Sequence, residues 1–219
     1  MAENKIKHIS FDLDGTLVNS GRTIYKSTLK ALNSLNIKAA VDEKEFNQLI
    51  GAHFINIFND LKITVKDVNQ FIEIYKGFYF DFIDESEFYP GATEILQYLK
   101  EKNIYISLLT TKNQDQADKI IEYFNLRKYF NFIMGRRKDI GHKPSPEPLL
   151  FICKELNVKP EETMIVGDTE LDILCGKDAN ALTCSVTYGY RTKDSLEQHK
   201  PDYIISDLSE LKLLEGVLY

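Results

Sequence analysis

The sequence predicts an α/β fold, in which helices cover both faces of a parallel β-sheet and an all-helical segment is inserted after the first strand. Two observations lead to this prediction. Along most of the 219-residue chain, short apolar runs alternate with helical patterns, which is typical of parallel strands joined by helical connections. Between residues 18 and 85 the alternation stops, and helical patterns follow one another without a convincing strand. The length suits one sheet domain with one helical insert.

The expected strands are short runs rich in Ile, Val, Phe and Tyr that end at Asp, Thr or Gly, as buried strands leading into turns do. They cover residues 6–11, 104–109, 132–134, 164–166, 182–186 and 203–205. The expected helices between them place apolar side chains on one face. They cover residues 91–101, 114–124, 147–156, 171–179 and 208–214.

The insert is expected to contain about three helices. In the last of them, apolar residues between Val65 and Phe82 step by three and four, which marks a helix with one apolar face. Aromatic residues are concentrated between Phe54 and Tyr89. Such rings can stack on nucleic-acid bases, but no dense basic pattern interleaves with them. We therefore expect them to fill the core of a small helical bundle.

The composition excludes several classes of protein. With 27 Lys and Arg against 33 Asp and Glu, the net charge is −6, which opposes binding to nucleic-acid phosphates. No apolar run approaches the roughly 20 residues that span a bilayer, and the charged N-terminus lacks the apolar segment of a signal peptide. We therefore expect a soluble, cytoplasmic protein without a membrane partner. The three widely spaced cysteines predict buried thiols rather than disulfides or a zinc site; they are Cys153, Cys175 and Cys184.

The densest polar feature is the segment FDLDGTL, which directly follows the first expected strand. It contains Asp12 and Asp14, which lie on the same side of the chain if the extended conformation continues. Ligands of open parallel sheets bind at the carboxyl ends of the strands. Two neighbouring carboxylates in an apolar segment are costly unless a cation or a proton compensates them. A turn cap is the alternative, but the Gly-Thr that follows favours a functional site.

FDLDGTL resembles the first motif of the haloacid dehalogenase-like hydrolases. The resemblance implies that Asp12 is the nucleophile that takes a phosphoryl group. It implies that Asp14 protonates the leaving group and then activates water. It also implies a Rossmann-like core, here residues 1–17 and 86–219, and a helical cap domain, here residues 18–85.

Two later segments resemble the second and third motifs of that family. The second expected strand leads to Thr110, which matches the Ser or Thr whose hydroxyl and neighbouring amides hold the phosphoryl group. Thr111 follows, where close relatives usually carry Asn. The segment GHKPSPEP places Lys143 at the motif lysine, a fixed cation that offsets the repulsion between carboxylates and phosphate. Taken alone, these residues would predict a helix N-cap and a solvated loop lysine.

The segment VGDTELD resembles the fourth motif, with Asp168 at the end of an apolar strand and Asp172 four residues later. The resemblance implies a Mg²⁺ site formed by Asp12, the backbone carbonyl of Asp14 and Asp168. Asp172 would bind the metal directly or through water and would orient Lys143. Hard oxygen ligands in this number suit octahedral Mg²⁺.

By the same resemblance, the helical insert is a cap that closes over the site and excludes water. A Leu-Ile-Gly segment ending at Gly51 resembles the substrate-specificity loop of the cap, so Gly51 is a candidate substrate contact. Residues 18–41 contain four basic side chains and no acid. Arg22, Lys26 and Lys30 are spaced four apart and form one ridge of a helix. The ridge is either a solvated face or it attracts anionic substrates, in which case Arg22 is a substrate contact.

Together the motifs predict a Mg²⁺-dependent phosphatase that hydrolyses small phosphate monoesters through an aspartyl phosphate, similar to phosphoglycolate phosphatases. A mutase resembling β-phosphoglucomutase shares the cap and the motifs. A dehalogenase is disfavoured because halide displacement has no use for the acid/base Asp14, and a phosphonatase is less favoured too. A ligand-binding protein without turnover is opposed by the intact motif residues. The expected partner is a small phosphorylated metabolite; the sequence leaves open its identity and the oligomeric state.

Overall fold

The computed structural model describes residues 5–214. Within this range the chain divides into two units: an α/β unit, formed by residues 5–17 and 88–214, and a helical unit, Val18–Glu87. No helix in the described range is both long enough and apolar enough to cross a membrane.

The helical unit has an aromatic interior. Phe46, Phe71 and Tyr79 are fully buried, and the rings of Phe58 and Phe71 meet edge to face with centroids 4.7 Å apart. Edge-to-face contact is a favoured arrangement of aromatic pairs. The unit contains α1 (Gly21–Ser34), α2 (Glu43–Asn47), α3 (Phe54–Asp60) and α4 (Val68–Tyr79).

A parallel sheet forms the centre of the α/β unit. The strands of the described chain are β1 (His8–Phe11), β2 (Val18–Asn19), β3 (Glu87–Phe88), β4 (Tyr105–Asn113), β5 (Phe132–Arg136), β6 (Thr163–Gly167), β7 (Leu182–Val186) and β8 (Tyr203–Ile205). Six of them form one sheet in the order β5-β4-β1-β6-β7-β8, while β2 pairs with β3. Every registered pair in the six-stranded sheet is parallel. The central strand β1 is buried along its whole length, and its two polar residues, His8 and Ser10, form side-chain hydrogen bonds in this interior.

Helices flank this sheet and complete the core. They are α5 (Ala92–Glu101), α6 (Gln114–Tyr123), α7 (Glu147–Leu156), α8 (Glu170–Asp178) and α9 (Lys193–Gln198). Leu149 and Ile152 on α7 pack with Leu109 and Ile165 of the sheet in one buried apolar cluster. The prediction of a parallel sheet flanked by helices is confirmed.

Several local predictions differ from the structure. Strand β4 runs to Asn113 instead of stopping at Leu109, and its register with β5 shifts between these two residues. The stretch expected to form a helix from residue 208 is a 3₁₀-helix, Leu208–Leu213. The sequence reading missed α9, which buries a single residue, Leu196, and so lacks an apolar stripe. It also missed the short strand β2, and it expected about three helices where the helical unit has α1, α2, α3 and α4.

Candidate active site

Two aspartates follow β1 at its carboxyl end. The backbone N–H of Asp12 donates to the carbonyl oxygen of Val166 at 2.9 Å, so the chain remains aligned with β6 beyond the last residue of β1. Asp12 is 5% exposed and Asp14 is 8% exposed. Gly15 then turns the chain with a φ of +85°, and a Cβ atom there would lie 2.3 Å from Oδ2 of Asp168. Glycine is required at this point both for the turn and for the close approach.

Lys143 connects the two ends of the carboxylate cluster. Its Nζ lies 2.9 Å from Oδ1 of Asp12 and 2.5 Å from Oδ1 of Asp172. The other oxygen of Asp172, Oδ2, accepts hydrogen bonds from the backbone N–H and the hydroxyl of Thr169, at 3.2 and 2.7 Å. Asp172 is therefore engaged on both oxygens, because it also caps the first turn of α8.

Burial and charge shift the ionisation of this cluster. Burial raises the pKa of Asp12 to about 7; Lys143 opposes the rise and the neighbouring carboxylates add to it. Burial by itself would lower the pKa of Lys143, but the charges of Asp12 and Asp172 outweigh it and raise that pKa. Burial and the same two carboxylates raise the pKa of Asp168 far above its usual value. Buried groups of like charge are common at functional sites. Because Lys143 alone does not balance the carboxylates of this cluster, a further bound cation would stabilise their ionised forms.

Three of the carboxylates could share a metal ion. Asp12, Asp168 and Asp172 each offer an oxygen, and the three oxygens lie within 4.8 Å of one another. Asp168 is held in place by the hydroxyl of Thr16, at 3.1 Å from Oδ1, and by the backbone N–H of Tyr190, at 2.8 Å from Oδ2. An all-oxygen donor set with an excess of buried negative charge fits Mg²⁺ rather than a metal that prefers sulfur or nitrogen ligands.

The end of β4 contributes a threonine and an unexpected lysine. Thr110 is 3% exposed, and its hydroxyl accepts the backbone N–H of Lys112 at 3.3 Å. The Nζ of Lys112 lies 3.1 Å from Oδ2 of Asp14, and the two side chains are only 8% and 10% exposed. The sequence reading missed Lys112 because it ended the strand at Leu109. Had the strand been continued, its alternation would have placed Lys112 on the same side as Thr110.

The loop after β7 also reaches the cluster and was missed. The hydroxyl of Tyr188 donates to the carbonyl oxygen of Thr16 at 2.8 Å. A Cβ atom on Gly189 would lie 2.3 Å from Cβ of Asp168, so this loop packs its backbone directly against that aspartate. The position of this loop in the sequence could have indicated its role. It contains a Gly flanked by two Tyr residues and follows the carboxyl end of a parallel strand, which is the edge of the sheet where ligands bind.

Comparison with known proteins agrees with this geometry. Residues 9–186 match the model of a family described as haloacid dehalogenase-like hydrolase. This chain belongs to the haloacid dehalogenase-like hydrolases. It is 33% identical over 209 residues to a pyrophosphatase PpaX of Bacillus mycoides, covering 94% of this chain and 95% of that protein. It is 28% identical to a phosphoglycolate phosphatase of Haemophilus influenzae, covering 94% of this chain and 97% of that protein.

Solved structures of the hydrolase family have the same fold. The crystal structure of a predicted phosphoglycolate phosphatase from Haemophilus somnus superposes with a TM-score of 0.82 at 26% identity, covering 96% of this chain and 98% of that one. A putative phosphatase from Clostridium difficile superposes with a TM-score of 0.81 at 28% identity, covering 98% of this chain and 99% of that one. The prediction of family membership is confirmed.

Three further residues were predicted to contact the substrate of this hydrolase, and they lie in different parts of the structure. Thr111 follows Thr110 in β4 and is partly buried. Arg22 and Gly51 belong to the helical unit. Nε of Arg22 lies 2.8 Å from Oε2 of Glu85, and Gly51 has a φ of +100° in the turn before α3.

The basic ridge of α1 is paired along its length. Lys26 forms an ion pair with Glu85, and Lys30 forms one with Asp81 at 2.8 Å. Because acids from the end of the helical unit compensate these charges, the ridge offers less attraction to anions than the sequence predicts. The contact of Arg22 with substrate stays a prediction. A Michaelis constant that rises selectively for anionic substrates in Arg22→Ala would support it.

Proposed function

We propose that this hydrolase is a Mg²⁺-dependent phosphatase that hydrolyses small phosphate monoesters through an aspartyl phosphate on Asp12. The observation that carries the proposal is the buried contact of 2.9 Å between Nζ of Lys143 and Oδ1 of Asp12, inside the cluster of carboxylates. The names of the relatives, pyrophosphatase and phosphoglycolate phosphatase, support transfer of a phosphoryl group to water. A cytoplasmic location and a small phosphorylated metabolite as substrate complete the proposal.

In the first step, a carboxylate oxygen of Asp12 attacks phosphorus while the bond from phosphorus to the leaving oxygen breaks. Asp14 gives its proton to that oxygen, so an alcohol leaves. Lys143 favours the ionised form of Asp12, because the ammonium group stabilises the carboxylate that burial disfavours. Lys112, at 3.1 Å from Asp14, holds the acid/base in one orientation.

In the second step, water attacks the phosphorus of the aspartyl phosphate. Asp14 accepts a proton from the attacking water, the bond between phosphorus and the oxygen of Asp12 breaks, and inorganic phosphate leaves. Asp12 then returns to its carboxylate form. The same acid/base therefore acts in both directions, and no other proton carrier is needed.

Residues around Asp12 would hold the transferring group. The hydroxyl of Thr110 and the ammonium group of Lys143 would bind its oxygens, where preorganised donors are most effective. Bound Mg²⁺ supplies positive charge that neutralises those oxygens. Asp12, the carbonyl oxygen of Asp14 and Asp168 would hold the ion. Asp172, whose oxygens are already taken by Lys143 and Thr169, would act mainly by fixing Lys143.

The helical unit is the proposed cap. It would exclude water from the site and contact the leaving group, with Gly51 in its specificity loop. The cap prediction covers residues 18–85, and the observed helical unit is Val18–Glu87. A variant with a shortened helical unit would test whether this unit excludes water and contacts the leaving group. Its activity on large and on small phosphate esters would be compared with that of the wild-type protein.

The direct test is phosphate release from an aryl phosphate in the presence of Mg²⁺. Asp12→Asn should abolish release, whereas Asp178→Asn, the same change at an exposed position of α8, should leave it unchanged. In Asp14→Asn, rapid quenching and mass spectrometry should detect a phosphoryl group on Asp12, since the second step lacks its base. Full activity in Asp12→Asn would refute the assignment of the nucleophile.

The substrate is then found by comparing candidates. Phosphoglycolate and inorganic pyrophosphate should be assayed first, because relatives of this chain are named for them. Hexose phosphates should release phosphate as well, if more slowly. Conversion of one hexose phosphate to its isomer with little release of phosphate would instead identify a mutase and contradict the proposal.

A further inference from the structure

A polar cavity lies in the α/β unit, and its lining contains none of the residues of the carboxylate cluster. It is open to solvent and has a volume of about 530 Å³. Its lining runs from the end of β5 through the loop that leads to Lys143, and it includes the residue that follows Lys112 in β4. The polar residues of this lining are Asn113, Arg136, Arg137, Lys138, Asp139 and His142.

The lining of this cavity has an excess of positive charge. It contains three consecutive basic residues, Arg136, Arg137 and Lys138, and one acid, Asp139. Within residues 5–214, the guanidinium group of Arg136 forms no ion pair and no hydrogen bond. Burial lowers the pKa of Arg136. Burial and the charge of Arg136 lower the pKa of His142. A partly buried arginine without an acidic partner is costly, and a bound anion would remove that cost.

The cavity is also built on fixed elements. Nε of Arg137 donates to Oε1 of Gln114 at 3.1 Å, and its guanidinium lies over the rings of Phe132 and Phe151 at 5.6 and 5.8 Å. Gln114 is the first residue of α6, so the positive end of this ten-residue helix points to the same place. The N-cap residue Asn113 makes no side-chain capping hydrogen bond, which leaves its amide available to a ligand.

We propose that this cavity binds an oxyanion, the phosphate or carboxylate group of a small metabolite, at a site separate from the hydrolytic one. A guanidinium group binds such groups through paired hydrogen bonds. The volume of about 530 Å³ exceeds the size of one phosphate and lies in the range of small-molecule sites. The anion comes either from a free metabolite or from the remote end of a substrate whose phosphoryl group lies at Asp12. The proposal does not depend on turnover.

Binding of inorganic phosphate tests the site directly. In calorimetry without Mg²⁺, Arg136→Gln should weaken phosphate binding about tenfold, roughly the effect of losing one charge-assisted hydrogen bond. Arg127→Gln, the same change at an exposed arginine outside the cavity, should match the wild-type protein. Phosphate should also protect Arg136 from modification by phenylglyoxal, measured on the peptide by mass spectrometry. Unchanged binding in Arg136→Gln, together with no protection of Arg136, would overturn the proposal, since phosphate would then bind only at the hydrolytic site.

Kinetics distinguish the two sources of the anion. If the ligand is the remote end of the substrate, Arg136→Gln raises the Michaelis constant for phosphoglycolate and leaves unchanged that for an aryl phosphate whose leaving group carries no charge. If the ligand is a free metabolite, both constants stay unchanged while phosphate binding weakens. A failure of the phosphatase proposal would leave the calorimetric and protection results unaffected, so the two proposals fail separately.

Discussion

His8 should make the stability of this protein depend on pH in a way that one substitution can remove. The side chain lies on β1 and is fully buried. Its Nδ1 is 3.1 Å from Oγ1 of Thr163 and its Nε2 is 2.8 Å from Oγ of Ser107. Burial lowers the pKa of His8 from 6.5 to about 3, so the imidazole ring stays neutral in the folded protein.

The sign and size of the effect follow from the two pKa values. Below pH 6.5 the unfolded chain takes up a proton at His8, and the folded chain does not until the pH is near 3. The contribution of His8 to stability is therefore complete above pH 6.5 and is lost as the pH falls. Each pH unit in that range costs about 1.4 kcal/mol. Between pH 7.5 and pH 5 the free energy of unfolding should decrease by about 2 kcal/mol through this residue.

The assay compares the wild-type protein with His8→Gln by urea unfolding at both pH values, without Mg²⁺. Glutamine does not titrate, and its amide keeps a hydrogen-bond donor and an acceptor at this position. The raised pKa values of Asp12 and Asp168 act on both proteins and cancel in the difference. The stability lost by the substitution at pH 7.5 should therefore shrink by about 2 kcal/mol at pH 5.

The control is His199→Gln, the same substitution outside the buried network. If the gap between wild type and His8→Gln is the same at both pH values, His8 is not the group that titrates, and the reasoning is refuted. If His199→Gln shows the same change with pH in its stability relative to wild type, the reasoning is also refuted, because the effect would then not depend on burial of the histidine.

Three further predictions concern the hydrolytic site. Lys112→Met removes the ammonium group beside Asp14, and kcat should fall about tenfold or more with little change in KM; steady-state kinetics on an aryl phosphate measure both. Gly189→Ala places a Cβ atom where Asp168 now lies, so the Mg²⁺ concentration for half-maximal activity should rise about tenfold; an unchanged value would contradict the close packing. Removal of Mg²⁺ with EDTA should abolish turnover and lower Tm, since an ion that binds only the folded state stabilises it; a calorimetric scan with and without the ion decides this.

Much of the sheet could be predicted from the sequence because its strands carry apolar residues at alternate or consecutive positions. The carboxyl ends of β1 and β7 could be predicted because Phe11 is followed by Asp12 and Val186 by Thr187. The prediction fails for β4, where Thr110 and Lys112 continue the strand as polar side chains because they face the site rather than the core. It also fails for α9, since a short helix that buries only Leu196 has no pattern to detect.

The site could be anticipated where a residue lies next to a strand in a motif, as with Asp12 and Asp168. It could not be anticipated where the partner comes from a distant part of the chain. Nothing near Arg22 in the sequence indicates that Glu85 will neutralise it. The packing of Gly189 against Asp168 likewise depends on the neighbouring positions of β6 and β7 in the sheet, which the sequence does not state.

Asp172 links the thermal stability of this protein to the order of its candidate active site. Asp172 begins α8 through its bonds to Thr169 and, with the other oxygen, fixes Lys143. Asp172→Ala would remove the cap of α8 and one of the two carboxylates that hold Lys143, so activity and the amount of folded protein should fall together. Asp12 also pairs with Lys143 but is the N-cap of no helix in the described chain, so a well-folded variant that lacks the proposed nucleophile is best sought at Asp12.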